Sequence, residues 1–224
     1  MQGTKLKELT DFDNAILKLY SKYCLVGMDE VGRGAIAGPV IACAFSWKDR
    51  FILNNKMPRC LSFLNDSKKL SKKQRKYICK SLIKYGEYGI GYASVLEIEK
   101  LNILNATFLA MKRAYENLLI KLKLKNSNVY ILIDGNKFNP YINSRQLPII
   151  GGDSRSSLIA GASVIAKVYR DLLMKKISKL KRFKKYKWSK NVGYGTRFHF
   201  SSIRKYGLTP FHRKLFVRKA YCLK

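Results

Sequence analysis

The pattern of apolar and polar positions along the 224-residue chain predicts strands that alternate with helices. The run "YCLVGMD", bounded by glycine, is typical of a strand buried on both faces, and "GPVIACAFSW" is typical of a second one. Because only the short turn "EVGRGAIAG" separates them, we expect an antiparallel hairpin. The runs "YGIGYASV", "NVYILID" and "PII" indicate three further strands.

Three segments show helical patterns. "DSKKLSKKQRKYICKSLIKYG" opens with capping residues, and a longer helix follows "GGDSRSS", where "AGAS" at positions 160–163 would allow close packing against a sheet. The clearest apolar stripe recurs at steps of three and four, at Leu101, Leu104, Phe108, Met111, Tyr115, Leu118 and Leu122. Together these elements predict an α/β fold with a mixed central sheet flanked by helices.

The last fifty residues are basic and rich in aromatic side chains. They still contain apolar positions such as Leu180, Phe183 and Ile203, so we expect folded helices and loops there and not a disordered tail.

Charge narrows the choice of partner. The chain has 45 Lys and Arg against 14 Asp and Glu, a formal net charge of +31, and no acid follows Asp171. A surface of this kind attracts polyanions, so nucleic acid is the first candidate, an anionic membrane surface the second, and a ribosomal or acidic protein the third. A coding bias towards lysine would explain part of the excess but not its distribution.

The cellular compartment is also suggested by composition. The 5 cysteines are an odd number with no close pairs, which argues against a disulfide framework. The polar N-terminus lacks an apolar signal core, and no run is long enough to span a membrane. We therefore expect a cytoplasmic protein with no membrane partner.

Several of the few acids stand where predicted strands end. Asp29 and Glu30 close the first strand, Asp134 closes "ILID", and Asp153 follows "IIGG". If these strand ends are neighbours, four carboxylates would share one cleft, where only a cation allows them all to ionise. Mg²⁺ prefers such oxygen ligands, and two such ions can activate a water and stabilise the leaving oxygen of a phosphodiester.

Each acid also has a simpler interpretation. Asp29 and Glu30 could be a solvated strand end, Asp134 a turn former, and Asp153 a helix N-cap. Asp171 could pair with a Lys or Arg on its own helix. Spacing alone leaves these alternatives open.

The motifs in order resemble one known family. "GMDEVGRGAIAGPVIACA", "LNDSKKLSKKQR", "LNILNATFLAM", "YILIDGNKF", "GGDSRSSLIAGASVIAKVYRD" and "GYGT" are similar to the bacterial ribonuclease HII signature over about residues 25–216. The resemblance implies a ribonuclease H-like fold with a small basic C-terminal helical extension. We divide the chain accordingly into an N-terminal extension, 1–24, a catalytic domain, 25–180, and a C-terminal substrate-binding part, 181–224.

The resemblance also implies an activity. It predicts an endoribonuclease, acting as a monomer, that cleaves 5′ of ribonucleotides within duplex DNA and cleaves the RNA strand of RNA–DNA hybrids, leaving 3′-hydroxyl and 5′-phosphate ends by a two-metal-type mechanism. The family's four metal ligands, for Mg²⁺ or Mn²⁺, fall on Asp29, Glu30, Asp134 and Asp153.

The family's substrate contacts can be carried over in the same way. The Gly-Arg-Gly turn that contacts the 2′-hydroxyl falls on Gly32, Arg33 and Gly34, and the tyrosine that packs against the 3′ deoxyribose falls on Tyr194. Further backbone contacts are expected at Lys68, Lys69, Ser154, Lys167 and Arg170.

One departure concerns the C-terminal pattern His-Arg-Arg-Ser-Phe, which reads "HRKLF" here, with Leu215 in place of the small polar residue. This puts contacts of that loop in doubt, but not the metal site. Two alternatives stay open: a noncatalytic basic binding protein, and another enzyme of the wider fold, such as a junction resolvase or a type I ribonuclease H.

Overall fold

The structure, a computed structural model, describes residues 2–48, 59–64, 67 and 70–222. Its centre is one mixed sheet of five strands in the order β3-β2-β1-β4-β5. The strands are β1 (Cys24–Val31), β2 (Val40–Trp47), β3 (Gly86–Ala93), β4 (Val129–Asp134) and β5 (Arg145–Ile149). β1 and β2 pair antiparallel, which confirms the predicted hairpin, whereas β4 pairs parallel with both β1 and β5.

Helices cover both faces of the sheet. They are α1 (Gln2–Leu19), α2 (Lys72–Tyr85), α3 (Val95–Leu122), α4 (Ser157–Ser178), α5 (Trp188–Asn191), α6 (Arg197–Tyr206) and α7 (Lys214–Cys222). Sequence patterns indicated the segments of α2, α3 and α4 but not α1, which lies in the stretch treated only as an extension. Within the described ranges, no helix combines the length and the apolar character needed to cross a bilayer.

The two faces of the sheet have separate cores because successive strand side chains point in opposite directions. On β2, Phe45 packs in the core shared with α1, α2 and α4, while its neighbour Ala44 packs in the core beneath α3. α4 lies very close to the sheet: a Cβ on Gly27 would stand 2.2 Å from the backbone of Leu158, and one on Gly161 would stand 2.8 Å from Phe45. The close packing predicted for positions 160–163 is confirmed.

The predicted stripe on α3 is largely buried, from Phe108 to Leu118. The helix is interrupted near its start at Asn102, which has left-handed backbone angles (φ 66°). Its side-chain oxygen accepts hydrogen bonds from the N–H groups of Leu104 and Asn105, at 2.9 and 3.1 Å, so it caps the main part of the helix.

A third core lies in the C-terminal region. Phe183, Tyr186 and Trp188 pack there against Ile36 and Ala37 from the β1–β2 connection. This confirms that the basic segment is folded. It also places the C-terminal helices directly against the connection that contains the Gly-Arg-Gly turn. The division of the chain at residues 25 and 181 stays a prediction.

Candidate active site

Three of the four strand-end acids meet at one edge of the sheet. β1 and β4 are parallel neighbours, with Met28 paired to Ile133, so Asp29 and Asp134 follow at the same edge. Asp29 is buried, and Glu30 and Asp134 are half-buried. The Asp29 carboxylate accepts a hydrogen bond of 2.7 Å from the Glu30 N–H, which holds it against the strand end.

The fourth acid reaches the same edge through a tight turn after β5. Gly151 has a left-handed backbone (φ 64°), and a single helical turn over Gly152–Ser154 follows. The Gly152 N–H donates to the Asp134 carboxylate at 2.7 Å. Asp153, the next residue, is therefore held close to Asp134, and it is buried.

The acids influence one another electrostatically. Burial raises the pKa of Asp29 well above its ordinary value, and the charges of Glu30 and Asp134 raise it further. Burial also raises the pKa of Glu30, although the guanidinium of Arg33 opposes the increase. Like charges in a buried site favour the protonated forms unless a cation neutralises them. The donor set therefore fits a hard divalent cation.

In the described part of the chain, no group of three or more His, Cys, Asp or Glu side chains already stands in metal-binding geometry. The acid side chains are engaged with protein groups instead: Glu30 pairs with Arg33 at 3.1 Å, and Asp134 accepts from Gly152. The structure thus brings the acids to one edge, and their role as ligands stays a prediction.

The Gly-Arg-Gly turn begins where β1 ends. Gly32 has a left-handed backbone (φ 94°), and a Cβ there would stand 2.2 Å from the Arg170 side chain, so only glycine fits. Gly34 is exposed, and a Cβ there would meet no atom of the described residues within 4 Å. The fold therefore explains the glycine at position 32, whereas position 34 leaves space that a ligand could approach.

Tyr194 lies beside this turn although 160 residues separate Gly34 from Tyr194 in the sequence. The N–H groups of Ile36 and Ala37 donate to the Gly193 carbonyl at 2.9 and 3.1 Å, which joins the two loops. The Tyr194 ring is half-buried. The cationic groups of Lys167 and Arg170 lie 5.7 and 5.5 Å from its centroid.

The expectation for Arg170 as a direct substrate contact is wrong. Its side chain is 0% exposed and donates to the carbonyls of Ala37, Pro39 and Val192. A guanidinium that lies beneath two loops cannot reach a phosphate. Its position on α4 made it look accessible because basic residues on helices usually point to solvent.

The other side chains predicted to contact the nucleic-acid backbone are either outside the described residues or bonded to protein groups. Lys68 and Lys69 lie outside the described residues. The Ser154 hydroxyl donates to the Gly151 carbonyl at 2.8 Å, within its own turn. Lys167 forms an ion pair of 2.9 Å with Asp171, which confirms the pairing considered for that acid.

Sequence reasoning missed three buried polar residues in the C-terminal region: Arg213, His199 and His212. Arg213 donates to the carbonyls of Gly38 and Arg33, both at 2.9 Å. The available signal for His212 and Arg213 was the polar pair "HR" between apolar residues in "FHRKLF". Leu215, the departure from the family pattern, is exposed and leaves this Arg213 contact intact.

A mixed sheet of five strands with helices on both faces, and with carboxylates at one edge of the parallel pair β1 and β4, has the architecture of the ribonuclease H fold. Solved structures share this architecture. The chain superposes on ribonuclease H2 of Pyrococcus horikoshii with a TM-score of 0.62 at 22% identity, covering 87% of this chain and 95% of that one. It superposes on a ribonuclease HIII, titled "Bst-RNase HIII in complex with Mn2+", with a TM-score of 0.67 at 18% identity, covering 90% and 70%.

The family is shown by sequence. The family model described as Ribonuclease HII matches residues 26–224. A curated relative from Ehrlichia ruminantium (strain Welgevonden), named Ribonuclease HII, is 44% identical over 207 residues and spans 92% of each chain. The chain belongs to the ribonuclease HII family and is an endonuclease, a hydrolase of phosphodiester bonds.

Proposed function

We propose that this protein hydrolyses the phosphodiester 5′ of a ribonucleotide embedded in duplex DNA, and the RNA strand of RNA–DNA hybrids, leaving 3′-hydroxyl and 5′-phosphate ends. One observation carries the proposal: the carboxylate edge of Asp29, Glu30 and Asp134 lies next to the turn of Gly32–Gly34. All these groups come from one chain, so a monomer suffices. We propose a cytoplasmic location, where such substrates would be met.

Asp29, Glu30, Asp134 and Asp153 would hold Mg²⁺ or Mn²⁺. When bound, the ions would activate the attacking water and neutralise charge on the leaving oxygen. The raised pKa values of Asp29 and Glu30 support the assignment. Burial and the neighbouring carboxylate charges disfavour the ionised forms of these acids, and a bound cation would offset that effect. Asp153 is held in position by its turn, and Asp134 by the Gly152 N–H.

The turn would recognise the ribose. The open space at Gly34 allows backbone to approach a sugar closely, and the 2′-hydroxyl is the group that distinguishes RNA from DNA. Arg33 is half-exposed and paired with Glu30 at the edge of the site, so its guanidinium is available to a phosphate that displaces the carboxylate.

The first experiment uses a labelled DNA duplex with a single ribonucleotide. With Mg²⁺ or Mn²⁺ we expect one nick, 5′ of the ribonucleotide. An all-DNA duplex, a four-way junction and an EDTA sample serve as controls. Binding without a nick in either metal would favour a basic binding protein, and cleavage of the junction would favour a resolvase.

Replacing Asp134 by Asn should reduce cleavage by at least about 10²-fold, because the amide cannot supply a charged ligand at the edge. Asp171→Asn is the matched control, since that acid pairs with Lys167 on its own helix, and it should retain activity. The measurement is single-turnover cleavage at saturating enzyme. Full activity of Asp134→Asn would remove this acid from the site.

Replacing Tyr194 by Ala should reduce the preference for a single ribonucleotide more than it reduces cleavage of a long hybrid, because an aromatic face packs against a deoxyribose without a 2′-hydroxyl. The measurement is the ratio of kcat/KM on the two substrates, with Tyr206→Ala, an exposed tyrosine at the end of α6, as the control. Equal losses on both substrates would count against this role of Tyr194.

A further inference from the structure

Two arginines are buried beneath the Gly-Arg-Gly turn. Arg170, on α4, and Arg213, just before α7, are both 0% exposed. Neither forms an ion pair with an acid in the described part of the chain. Burial lowers the pKa of both guanidiniums, and burial together with the nearby Arg170 charge lowers the pKa of Arg213 to about 9. Two buried like charges are costly, so the fold must compensate them.

Backbone carbonyls provide the compensation. Arg213 donates through Nε to the Gly38 carbonyl and through Nη1 to the Arg33 carbonyl, both at 2.9 Å. Arg170 donates to the carbonyls of Ala37, Pro39 and Val192 at 2.8–3.1 Å. The loop that begins with the Gly-Arg-Gly turn therefore directs its carbonyl oxygens inward, toward the two cations.

The contact with Arg33 has a geometric consequence. In a trans peptide the C=O and the N–H point in opposite directions across one plane. Because Arg213 draws the Arg33 carbonyl inward, the N–H of Gly34, at the other end of the same peptide, points outward. Gly34 is exposed, and its N–H has no partner among the described residues. A Cβ on Gly34 would also meet no atom of the described residues within 4 Å, so the space beside this peptide is open.

We propose that Arg213 is a positioning residue that orients the Arg33–Gly34 peptide so that the Gly34 N–H donates to an oxygen of the ribonucleotide at the cleavage site. Arg170 supports this arrangement through its hydrogen bonds to the carbonyls of Ala37 and Pro39, which fix the rest of the loop, and to the carbonyl of Val192, which fixes the segment before Tyr194. This inference rests on the proposed function, since it requires that the turn meets the ribonucleotide.

The fork of the guanidinium explains why arginine is required. One planar group reaches the carbonyls of Gly38 and Arg33 together, which the single ammonium of lysine cannot reproduce in the same geometry. Among the described residues, the buried Nη2 of Arg213 has no hydrogen-bond partner, so the two carbonyl bonds through Nε and Nη1 are the bonds that hold this side chain.

The test is Arg213→Lys, which keeps the charge and removes the fork. On the duplex with one ribonucleotide, we expect kcat to fall by about 10²-fold, the effect of misplacing a contact by about 1 Å. KM should rise only by the factor by which the binding preference for the ribonucleotide is lost, because the surface lysines that contact the backbone are unaffected. Lys214→Met is the matched control: it alters the exposed neighbouring residue, and kcat should stay unchanged.

A binding measurement separates positioning from simple loss of stability. In the cleavage-deficient Asp134→Asn background, anisotropy compares the duplex with one ribonucleotide to an all-DNA duplex. Adding Arg213→Lys should abolish the preference for the ribonucleotide while affinity for all-DNA duplex is retained. Retention of both kcat and preference would overturn the proposal. So would equal losses on the single-ribonucleotide duplex and a long hybrid accompanied by a lowered Tm.

A double-mutant cycle keeps the proposal testable if Arg213→Lys is less stable. Gly34→Ala places a methyl in open space, so it should leave the fold intact and obstruct the ribonucleotide. If both changes act on the same peptide, their effects on kcat will be less than additive, and additive effects would contradict the proposal.

The parent protein is assayed in parallel. Failure of the parent to nick would refute the proposed function itself.

Discussion

At the scale of single residues, the hydrogen bonds determine the protonation of a buried histidine pair. The Thr209 N–H donates to Nδ1 of His212, so His212 has its proton on Nε2. Nδ1 of His199 faces the Tyr194 carbonyl at 2.9 Å, so it must donate. Nε2 of His199 then accepts from both Trp188 and His212, at 2.9 and 3.1 Å. Both rings are neutral, and the chain of bonds ends on the backbone of Tyr194.

This pair should make stability depend on pH. Burial, together with the neighbouring His199 ring, lowers the pKa of His212 to about 4. The unfolded chain binds the proton more readily, so the contribution of His212 to stability is complete above pH ~6.5 and is lost as pH falls towards 4. Urea unfolding of the parent and of His212→Gln, between pH 7.5 and 4.5, should show the parent losing more stability on acidification.

The comparison between the two proteins removes the effect of Asp13. Burial raises the pKa of that acid to about 6, so its contribution to stability falls as pH rises from about 4 to 6, opposite to His212. Asp13 is present in both proteins, and its effect cancels in their difference. Parallel plots of unfolding free energy against pH for the parent and His212→Gln would contradict the neutral state assigned to the buried His212 ring.

At the scale of elements, α1 caps α4. The Asp13 carboxylate accepts hydrogen bonds from the Ser157 N–H, the Ser157 hydroxyl and the Leu158 N–H, at 2.8, 2.5 and 3.2 Å. The first N–H groups of a helix have no partner within the helix, and Asp13 supplies one. α4 starts only a few residues after Asp153, so this contact fixes the helix that follows a predicted metal ligand. Leu9 and Ile16 of α1 are buried in the same core as α4.

Replacing Asp13 by Ala should therefore lower the free energy of unfolding by about 1–2 kcal/mol, the usual effect of losing an N-terminal cap. Asp13→Asn should cost less, because the amide oxygen can still accept these bonds. Asp11→Asn, at an exposed position of the same helix, is the control. The measurement is chemical denaturation at pH 7.5. Equal losses for Ala and Asn would mean that the negative charge of Asp13, and not an accepting oxygen alone, is what stabilises the start of α4.

At the scale of the whole molecule, part of the positive charge forms a stripe along α2. Four exposed lysines of α2 recur every four residues, at Lys72, Lys76, Lys80 and Lys84, and the helix contains no acid. Like charges at this spacing destabilise a helix. A bound polyanion would remove the repulsion. We therefore expect α2 to contribute to the attraction of nucleic acid, beyond what the net charge of +31 alone provides.

Salt dependence tests this expectation. Replacing the four α2 lysines by Gln should reduce the slope of log K against log salt by up to about 4, since each neutralised phosphate contributes ~0.9. The matched control replaces four other exposed lysines, Lys7, Lys18, Lys123 and Lys125, by Gln. Binding to a ribonucleotide-containing duplex is measured by anisotropy in EDTA. Identical slopes for the two variants would mean that the stripe has no special role.

The sequence by itself determined the elements whose signals are local. The hairpin strands followed from apolar runs separated by a glycine turn, and the main part of α3 followed from its stripe, because side-chain periodicity repeats within a few residues. The motifs, among them "DEVGRG", "IDG" and "GDSR", were sufficient to place the chain in its family and to name four acids. Two of these, Asp29 and Asp134, lie on adjacent parallel strands, each one residue after the last paired residues Met28 and Ile133.

Only the tertiary structure decided the features that depend on contacts between distant segments. α1 escaped prediction because its polar residues outweigh a weak apolar stripe, and its stability comes from docking on α4. Arg170 looked like an exposed basic residue, and Arg213 was not singled out in the sequence, yet both are buried beneath one loop. A charged side chain can be buried only where surrounding groups, here backbone carbonyls, accept its hydrogen bonds. Those carbonyls belong to residues 33–39 and 192, far from either arginine in sequence.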